Sequence, residues 1–520
     1  MQNKKIIWGL LLAILIAAFA LRVTNIKNIP AGIYPDEAQN GVDAQQANAT
    51  GQYKLFYESN NGREGLFINL QALSIKTFGP TEFALKLWSI IFGTLTVLGV
   101  FLLANELFAN QLAGLVGAYL IAFSYWAINF SRIGFRAIMV PCILTFAFYF
   151  LLKGLRTKKL HDFIIAGAIY GLGVHTYIAF RVSPLVLVAL FVSLLITRKN
   201  FIREYWKHVL VFTFAMFVAA FPMLADFFIY NPQHYASRTS EISVLNPASN
   251  QGHLVLTVAK TFALSIQKYF IMGDLNMRHN YRPYALLNPI VSVAFLLGLI
   301  YIINKFSHLL WLRFKKQERN EKLDIYVLLL AWFFALLIPE FLANEGNPHA
   351  LRSIGTLPAV IIISVIPFLW VFKKYSQFGH AYKTFTICML TFAFVFIGLS
   401  DPIKYFVFFA NSPKQHEVFD ANLRSVSDFI RTLPAAEKKY IVTGSMERLT
   451  IKYLNPTLPN TFYYYPGEAS NIQAAPNEKI QIIFTAWDWD TMNSLKDRIP
   501  NLKVEEHNNK FGDIFIILSN

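Results

Sequence analysis

Asp36 and Glu37, in IYPDEAQNG (33–41), are adjacent carboxylates directly after a proline. Acids in that position suit the positive end of a helix dipole. They could equally take a proton from a hydroxyl, or hold a metal ion. Arg63 and Glu64 follow in NNGREGLF. Arg132 and Arg136 lie in NFSRIGFRAIMVP, and His175, Tyr177 and Arg181 in GLGVHTYIAFRVSP. His234 and Arg238 sit in NPQHYASR, Arg278, His279 and Arg282 in MRHNYRP, and His349 and Arg352 in EGNPHALRSIG. Guanidinium forks match phosphate oxygens. A base and several arginines would suit displacement of a phosphate leaving group. The base takes the proton of the attacking hydroxyl, and the arginines hold the charge that develops on the phosphate. Taken singly, the acids are a helix cap and the arginines are snorkelling or locally paired side chains. The decision rests on whether the elements of the chain bring them to one face.

Hydrophobic residues make up 55% of the 520-residue chain and charged residues 15%, against about 25% charged in soluble proteins. Apolar runs recur from end to end, the pattern of a polytopic membrane protein. The net charge of +16 does not indicate nucleic acid, because the basic residues cluster between the apolar runs. Cys142 and Cys388 lie inside such runs, so no disulfide framework is expected. About eleven spans are predicted, near 6–22, 83–103, 111–130, 137–153, 162–180, 183–197, 208–229, 286–304, 325–342, 354–372 and 382–400. The first resembles a signal peptide, with Ala18-Phe19-Ala20 like a cleavage site. It is read as an uncleaved span, since a multi-span chain needs no separate export signal.

Orientation follows from lysine and arginine. With the N-terminus in the cytoplasm, MQNKK, KGLRTKK, TRKNFIREYWK, NKFSHLLWLRFKKQERNEK and KKYSQFGHAYK all face inward, and only NELFANQ lacks a basic excess. The outer segments are then 23–82, 131–136, 230–285, 343–353 and everything after about 401. Every candidate named above falls on the outer face of a plasma membrane. The positive-inside bias should deplete arginine from short outer loops, yet these carry it repeatedly, usually beside an aromatic residue or a histidine.

The first outer loop, 23–82, holds two predicted helices. One starts at PDEAQNG, and LFINLQALSIKTF is the other, apolar along one face as suits a membrane surface. LVLTVAKTFALSIQKYF, in the loop at 230–285, is similarly amphipathic. After the last span the composition changes. KQHEVFDANLRSVSDFIRTL, MERLTIKYLN and TMNSLKDRI read as helices, and KKYIVT, NTFYYYP, KIQIIFTA and FGDIFIILS as strands. The predicted class is an α-helical polytopic membrane protein with a small C-terminal α/β domain outside. Its divisions are 1–403 and 404–520.

An acid on the aqueous side and arginines at the lipid boundary fit a sugar carried on a polyprenyl phosphate, transferred to an acceptor hydroxyl on a protein, a glycan or a lipid. The expected partners are that donor, the acceptor and membrane lipids. No His, Cys or Asp group shows metal-ligand spacing. A carboxylate pair could hold Mg²⁺, but arginines can neutralise a monophosphate alone, so no cofactor is expected to be required. A transporter or flippase of lipid-linked glycans is the alternative. Transporters usually place ionisable groups near the bilayer midplane, often in repeated halves. Here the groups lie at helix ends on one face, and no repeat is visible. A scaffold displaying the C-terminal domain would leave the arginines unexplained.

The stretch IPAGIYPDEAQNGVDAQQANATGQYKLF, with GREGLFINLQALSIKTFGPTEFALKLWSIIFGTLTVLGVFLLANELF after it, resembles the start of the GT-C glycosyltransferases. The nearest likeness is to the protein O-mannosyltransferase and aminoarabinose lipid A transferase superfamily. Gly79-Pro80-Thr81-Glu82-Phe83-Ala84-Leu85-Lys86-Leu87 matches its lead-in to the second span, and GLGVHTYIAFRVSP and PHALRSIGTLP also resemble bacterial members. The resemblance spans roughly 28–400 and is most specific over 30–108. It implies inverting transfer from a polyprenyl-phosphate sugar, with Asp36 as catalytic base and Glu37 supporting it. Arg63 would contact donor phosphate or sugar, with Glu64 beside it. Arg181 and Arg352 would be further phosphate ligands, and the outer-face reading of the residues adds Arg136, His175, Tyr177 and His349 to the donor site. Relatives often carry a proline after the acid that Glu64 matches, where this chain has Gly65.

Overall fold

The structure is a computed structural model that describes residues 4–236, 243–343, 346–375, 377, 379–475, 478–508, 511–512 and 514–520. Arg238 lies outside the described residues. Nine helices among them are long and apolar enough to cross a membrane. They are Lys4–Val23 (α1), Glu82–Phe108, Arg136–Thr157, Ile178–Thr197, Phe201–Tyr230, Pro289–Lys315, Lys322–Phe341, Ile354–Tyr375 and His380–Phe409.

Two of the predicted spans take other forms. The span at 111–130 is a bent pair, Gln111–Phe123 and Tyr125–Ser131, turned by 61° and counting as a tenth span if crossed as one. Ser124 is extended at the break. The Tyr125 N–H, released from the helix ladder, donates to the Asp401 carboxylate at 2.8 Å. A backbone donor at membrane depth needs such a partner. The segment at 162–180 forms the 13-residue helix Leu160–Leu172 followed by a short turn through His175. At 1.5 Å per residue that helix reaches about 20 Å, short of a hydrocarbon core of about 30 Å. Its glycines allow close approach to Phe201–Ala225. A Cβ at Gly167 would lie 2.2 Å from the Phe212 carbonyl oxygen, the small-residue packing usual between membrane helices.

The chain forms two compact units. One comprises Met1–Thr24, Leu55–Phe67 and Ser89–Tyr405; the other comprises Asn25–Lys54, Ile68–Trp88 and Phe406–Asn520. In the first, Arg22 is fully buried and ties the end of α1 to its neighbours. Its guanidinium donates to Ser131 Oγ at 3.1 Å and to the Ala122 carbonyl at 3.3 Å.

The second unit is built on a five-stranded sheet in the order β4-β3-β5-β7-β6. The strands are β3 (Lys438–Val442), β4 (Thr461–Tyr464), β5 (Ile480–Phe484), β6 (Lys503–Asn508) and β7 (Ile514–Ser519). β4, β3 and β5 run parallel, while β7 is antiparallel to both β5 and β6. Alternate residues face opposite sides. Ile441, Ile483 and Ile517 join Leu423, Val426 and Ile451 in one core; Tyr440, Ile482 and Leu518 join Met492 and Leu495 in the other. β6, KVEEHN, was not expected as a strand. It is a solvent-facing edge whose charges mask the apolar alternation and guard against edge pairing. The expected single helix at 414–433 is two, Pro413–Val418 and Ala421–Ile430, broken at Asp420 with φ 51°.

The helices of the first outer loop are α2 (Pro35–Thr50) and α3 (Leu66–Phe78), with the bounds anticipated from sequence. α2 seats on helix Glu447–Leu454. Thr450 Oγ1 donates to the Ile33 carbonyl at 3.2 Å, and Gln45 Nε2 to the Tyr453 carbonyl at 2.8 Å. A Cβ at Gly41 would fall 2.3 Å from the Tyr453 ring, so only glycine fits this contact.

Candidate active site

Pro35 opens α2 at its first position, where its fixed φ and missing N–H cost nothing. Asp36 and Glu37 then occupy the first turn, about 100° apart around the axis, and so face different surroundings. Glu37 is fully buried, and its carboxylate lies 3.9 Å from the equally buried Lys86 Nζ. Lys86 Nζ also lies 3.5 Å from the Gly32 carbonyl oxygen. Lys86 belongs to the GPTEFALKL lead-in, so that motif holds α2 by its first turn. Asp36 is only partly buried. Of the two acids it is the more exposed.

In the other unit, Asn60, Asn61 and Gly62 all have positive φ, as asparagine and glycine tolerate. They turn the chain into a two-residue hairpin, β1 (Phe56–Tyr57) against β2 (Arg63–Glu64). Arg63 and Glu64 therefore point to opposite sides. Arg63, 1% exposed, donates from Nε to the Ser59 carbonyl at 3.2 Å and from Nη2 to Ser59 Oγ. Part of its fork thus binds the hairpin's own turn. Glu64, 2% exposed, gathers two arginines. Arg136 Nε donates to Glu64 Oε2 at 2.8 Å, and Arg181 Nη2 reaches Glu64 Oε1 at 3.4 Å.

Both arginines are also laid on aromatic rings. Arg136 stands 5.3 Å from the Tyr177 ring, and Arg181 is 4.7 Å from each of Phe227 and Tyr235. One carboxylate and two guanidiniums leave a formal charge of +1 on a largely buried group. A cation–π contact adds about 0.5–2 kcal/mol where water is excluded. His175 bonds the Ala219 carbonyl at 3.0 Å and so fixes the neighbouring helix. His234 stacks on Phe56 and bonds Asp226 at 2.8 Å.

His349 and Arg352 belong to another group in the same unit. Buried Lys268 pairs with buried Glu340 and donates to Ser353 Oγ at 2.7 Å. Glu340 Oε1 accepts from the His349 N–H at 2.9 Å. Asp274 Oδ2 accepts from the Ala350 N–H at 2.7 Å and bonds His279 Nδ1 at 2.8 Å. Burial, then the charges of His279, Arg352 and Lys268, holds the His349 imidazole well below its ordinary range. It is therefore neutral at physiological pH and adds no charge for a phosphate. Asp274, His279 and His349 place their ligand atoms within 4.8 Å of one another, a set that could hold a metal ion. Spacing along the chain gave no sign of it, because His349 comes from a different outer loop. Lys268, Asp274 and Glu340 were not anticipated. The available signal was Glu340, an acid at the end of the apolar run LLIPEF.

Arg132 does separate work. Its Nη1 donates to the Leu21 and Arg22 carbonyls, each at 2.9 Å, which satisfies the open C-terminal end of α1. The structure thus joins Glu64, Arg136, Tyr177 and Arg181 in one group and puts His349 and Arg352 in a second. Asp36 and Glu37 stand on α2, in the other unit.

Residues 66–224 match the protein family described as dolichyl-phosphate-mannose-protein mannosyltransferase. That stretch includes Arg132, Arg136, His175, Tyr177 and Arg181 and excludes the other candidates. No curated protein matches the chain in sequence. Among solved structures, ArnT from Cupriavidus metallidurans bound to undecaprenyl phosphate aligns over 99% of this chain and 97% of its own. The TM-score is 0.56 and the identity 12%. The apo form of that protein aligns over 99% and 98%, with TM-score 0.54 and 13% identity. The Archaeoglobus fulgidus oligosaccharyltransferase in its apo form aligns over 96% of this chain and 69% of its own, with TM-score 0.51 and 13% identity. The fold is that of the GT-C glycosyltransferases. The likeness of fold extends past the family match, over both the membrane helices and the C-terminal α/β region.

Proposed function

We propose that this chain transfers a sugar from a polyprenyl-phosphate donor to an acceptor hydroxyl on the outer face of the membrane, with inversion. One observation carries the proposal: Arg136 and Arg181 converge on buried Glu64 with a formal excess of one positive charge. Such a group suits a phosphate monoester at the lipid boundary. The family match, and the undecaprenyl phosphate in the Cupriavidus metallidurans ArnT structure, support the same donor class.

Asp36 takes the proton of the acceptor hydroxyl, and the oxygen attacks the anomeric carbon from the face opposite the phosphate. The bond from that carbon to the phosphate oxygen breaks, and its electron pair leaves with the lipid phosphate. Arg136 and Arg181 stabilise the charge as it develops, and Arg352 and Arg63 contribute further contacts to the donor. Glu37, paired with Lys86, fixes the first turn of α2 under Asp36.

The proposal requires an outer location for the site and for residues 404–520. In a background with Cys142 and Cys388 replaced by Ser, Glu468→Cys should react with an impermeant maleimide on intact cells. Arg319→Cys should react only after permeabilisation; the reverse pattern would put the acids and arginines on the wrong side.

The excess charge on Arg136 and Arg181 offsets the single charge of the donor phosphodiester, and Arg63 and Arg352 add to it as charge builds on the leaving phosphate, so the proposed transfer needs no divalent metal. Chelator-treated protein should keep its full transfer rate. A loss restored by adding back Zn²⁺ or Mg²⁺ would contradict this and direct attention to Asp274, His279 and His349.

A further inference from the structure

The sheet of the second unit changes direction at one place. β4 lies on one side of β3, and the chain then crosses to place β5 on the other side. The parallel strands β3 and β5 therefore end at a topological switch point, the position where open α/β sheets bind ligands outside the carboxyl ends of their strands. Thr443 and Thr485 close the two strands, with their hydroxyl oxygens 3.2 Å apart.

The loop leaving β5 at this edge carries two indoles. Trp487 and Trp489 stack with ring centroids 4.5 Å apart and an interplanar angle of 22°, yet they remain 39% and 56% exposed. Large aromatic side chains usually gain by burial. A stacked pair left at the surface, alternating with Asp488 and Asp490, is a platform for something flat and weakly polarised. The same edge holds the start of α2. The Ile33 carbonyl accepts from Thr450 on the helix that follows β3. Asn422 donates to the Thr485 carbonyl at 3.0 Å, and a Cβ on Gly32 would meet the Phe419 carbonyl oxygen at 2.1 Å. Asp36 follows three residues after Ile33, so α2 starts against the helices that flank this edge.

We propose that the carboxyl edge of this sheet is an acceptor-binding subsite for a pyranose-containing glycan, with Trp487 and Trp489 as its stacking platform. The proposal rests on the transferase reading and names its acceptor class. A pyranose turns a face of C–H groups toward the negative face of an indole, while its hydroxyls donate to carboxylates such as Asp488 and Asp490. Those carboxylates also argue against the obvious other use of exposed tryptophan, insertion into a membrane surface, since anionic headgroups would repel them.

The test uses the full-length protein in detergent, titrated with α-mannan, β-1,3-glucan, β-1,4-glucan and α-1,6-glucan fragments of four to six sugars. Tryptophan fluorescence and transfer from a polyprenyl-phosphate sugar to the same fragments are followed in parallel. Saturable quenching by at least one fragment is expected. Trp487→Ala with Trp489→Ala should weaken it about tenfold or more, the loss of one to two stacking contacts. The acceptor KM should rise by a similar factor while the donor KM stays unchanged. Trp487→Tyr with Trp489→Tyr, which keeps aromatic faces, should restore most of the binding. Equal quenching in the native and alanine proteins overturns the proposal. So does the absence of saturable quenching by every fragment. Loss in the alanine variant of binding to vesicles of phosphatidylethanolamine and phosphatidylglycerol, with glycan binding untouched, also overturns it and makes the pair a membrane anchor. Glycan binding without any sugar transfer leaves this subsite standing and rejects the transferase reading instead.

Discussion

Asp36→Asn should leave expression, folding and donor binding near normal while reducing sugar transfer by at least about a hundredfold. Asparagine keeps the size of the side chain, and at the second helical position it forgoes only the charge–dipole attraction, about 0.3–1 kcal/mol, so α2 should form as before. The substitution removes only the capacity to take a proton, and loss of a general base costs on the order of a hundred- to ten-thousand-fold in rate. Glu37→Gln is the informative contrast. Glu37 is fully buried beside Lys86, so neutralising it removes one charge of a buried ion pair. Its effect should fall on stability, of the order of 3–5 kcal/mol for one partner of a buried pair, with a smaller change in the rate of the folded enzyme. If Asp36→Asn transfers sugar at a near-normal rate, the acid serves only the helix dipole and Glu64 becomes the next candidate for the base.

The second large effect concerns the arginines on Glu64. Arg136→Ala and Arg181→Ala should each lower kcat/KM for the donor by about a hundredfold, the usual cost of removing one preorganised donor to a developing oxyanion. Either single variant leaves Glu64 with the other arginine, so the buried carboxylate keeps a partner and the fold should survive. Lysine at either position retains charge but loses the planar fork, and should lie between alanine and native. Steady-state kinetics on purified variants, with melting temperatures alongside, distinguish the cases. Unchanged donor kinetics with a lowered Tm would make these residues structural partners of Glu64 only.

The sequence revealed most where physics is local. Pro35 followed by two acids marked the start of α2, and the apolar spacing of LFINLQALSIKTF marked α3 with correct bounds. Hydropathy located the membrane helices, because about twenty apolar residues in a row serve little else. What it could not reveal depended on distant partners. The bend at Ser124 relies on Asp401, 276 residues away from Tyr125. Glu64 finds its arginines 72 and 117 residues further along the chain. Arg132 looked like an anion ligand because its use, the carbonyls at the end of α1, lies 110 residues upstream. Residues 25–54 and 68–88 share a compact unit with 406–520, an association that only side chains such as Tyr453, filling the space against Gly41, make visible.

The central claim is the identity of the leaving group, and it can be measured directly. Purified protein in liposomes would be given a polyprenyl-phosphate sugar labelled in both sugar and phosphate, together with an envelope extract as acceptor, and the products separated by mass. The expected result is polyprenyl monophosphate retaining the phosphate label, formed in step with a glycosidically linked, inverted product, and absent with Asp36→Asn. Intact donor recovered on the opposite side of the bilayer, with no polyprenyl monophosphate formed, would contradict the claim and make the protein a flippase.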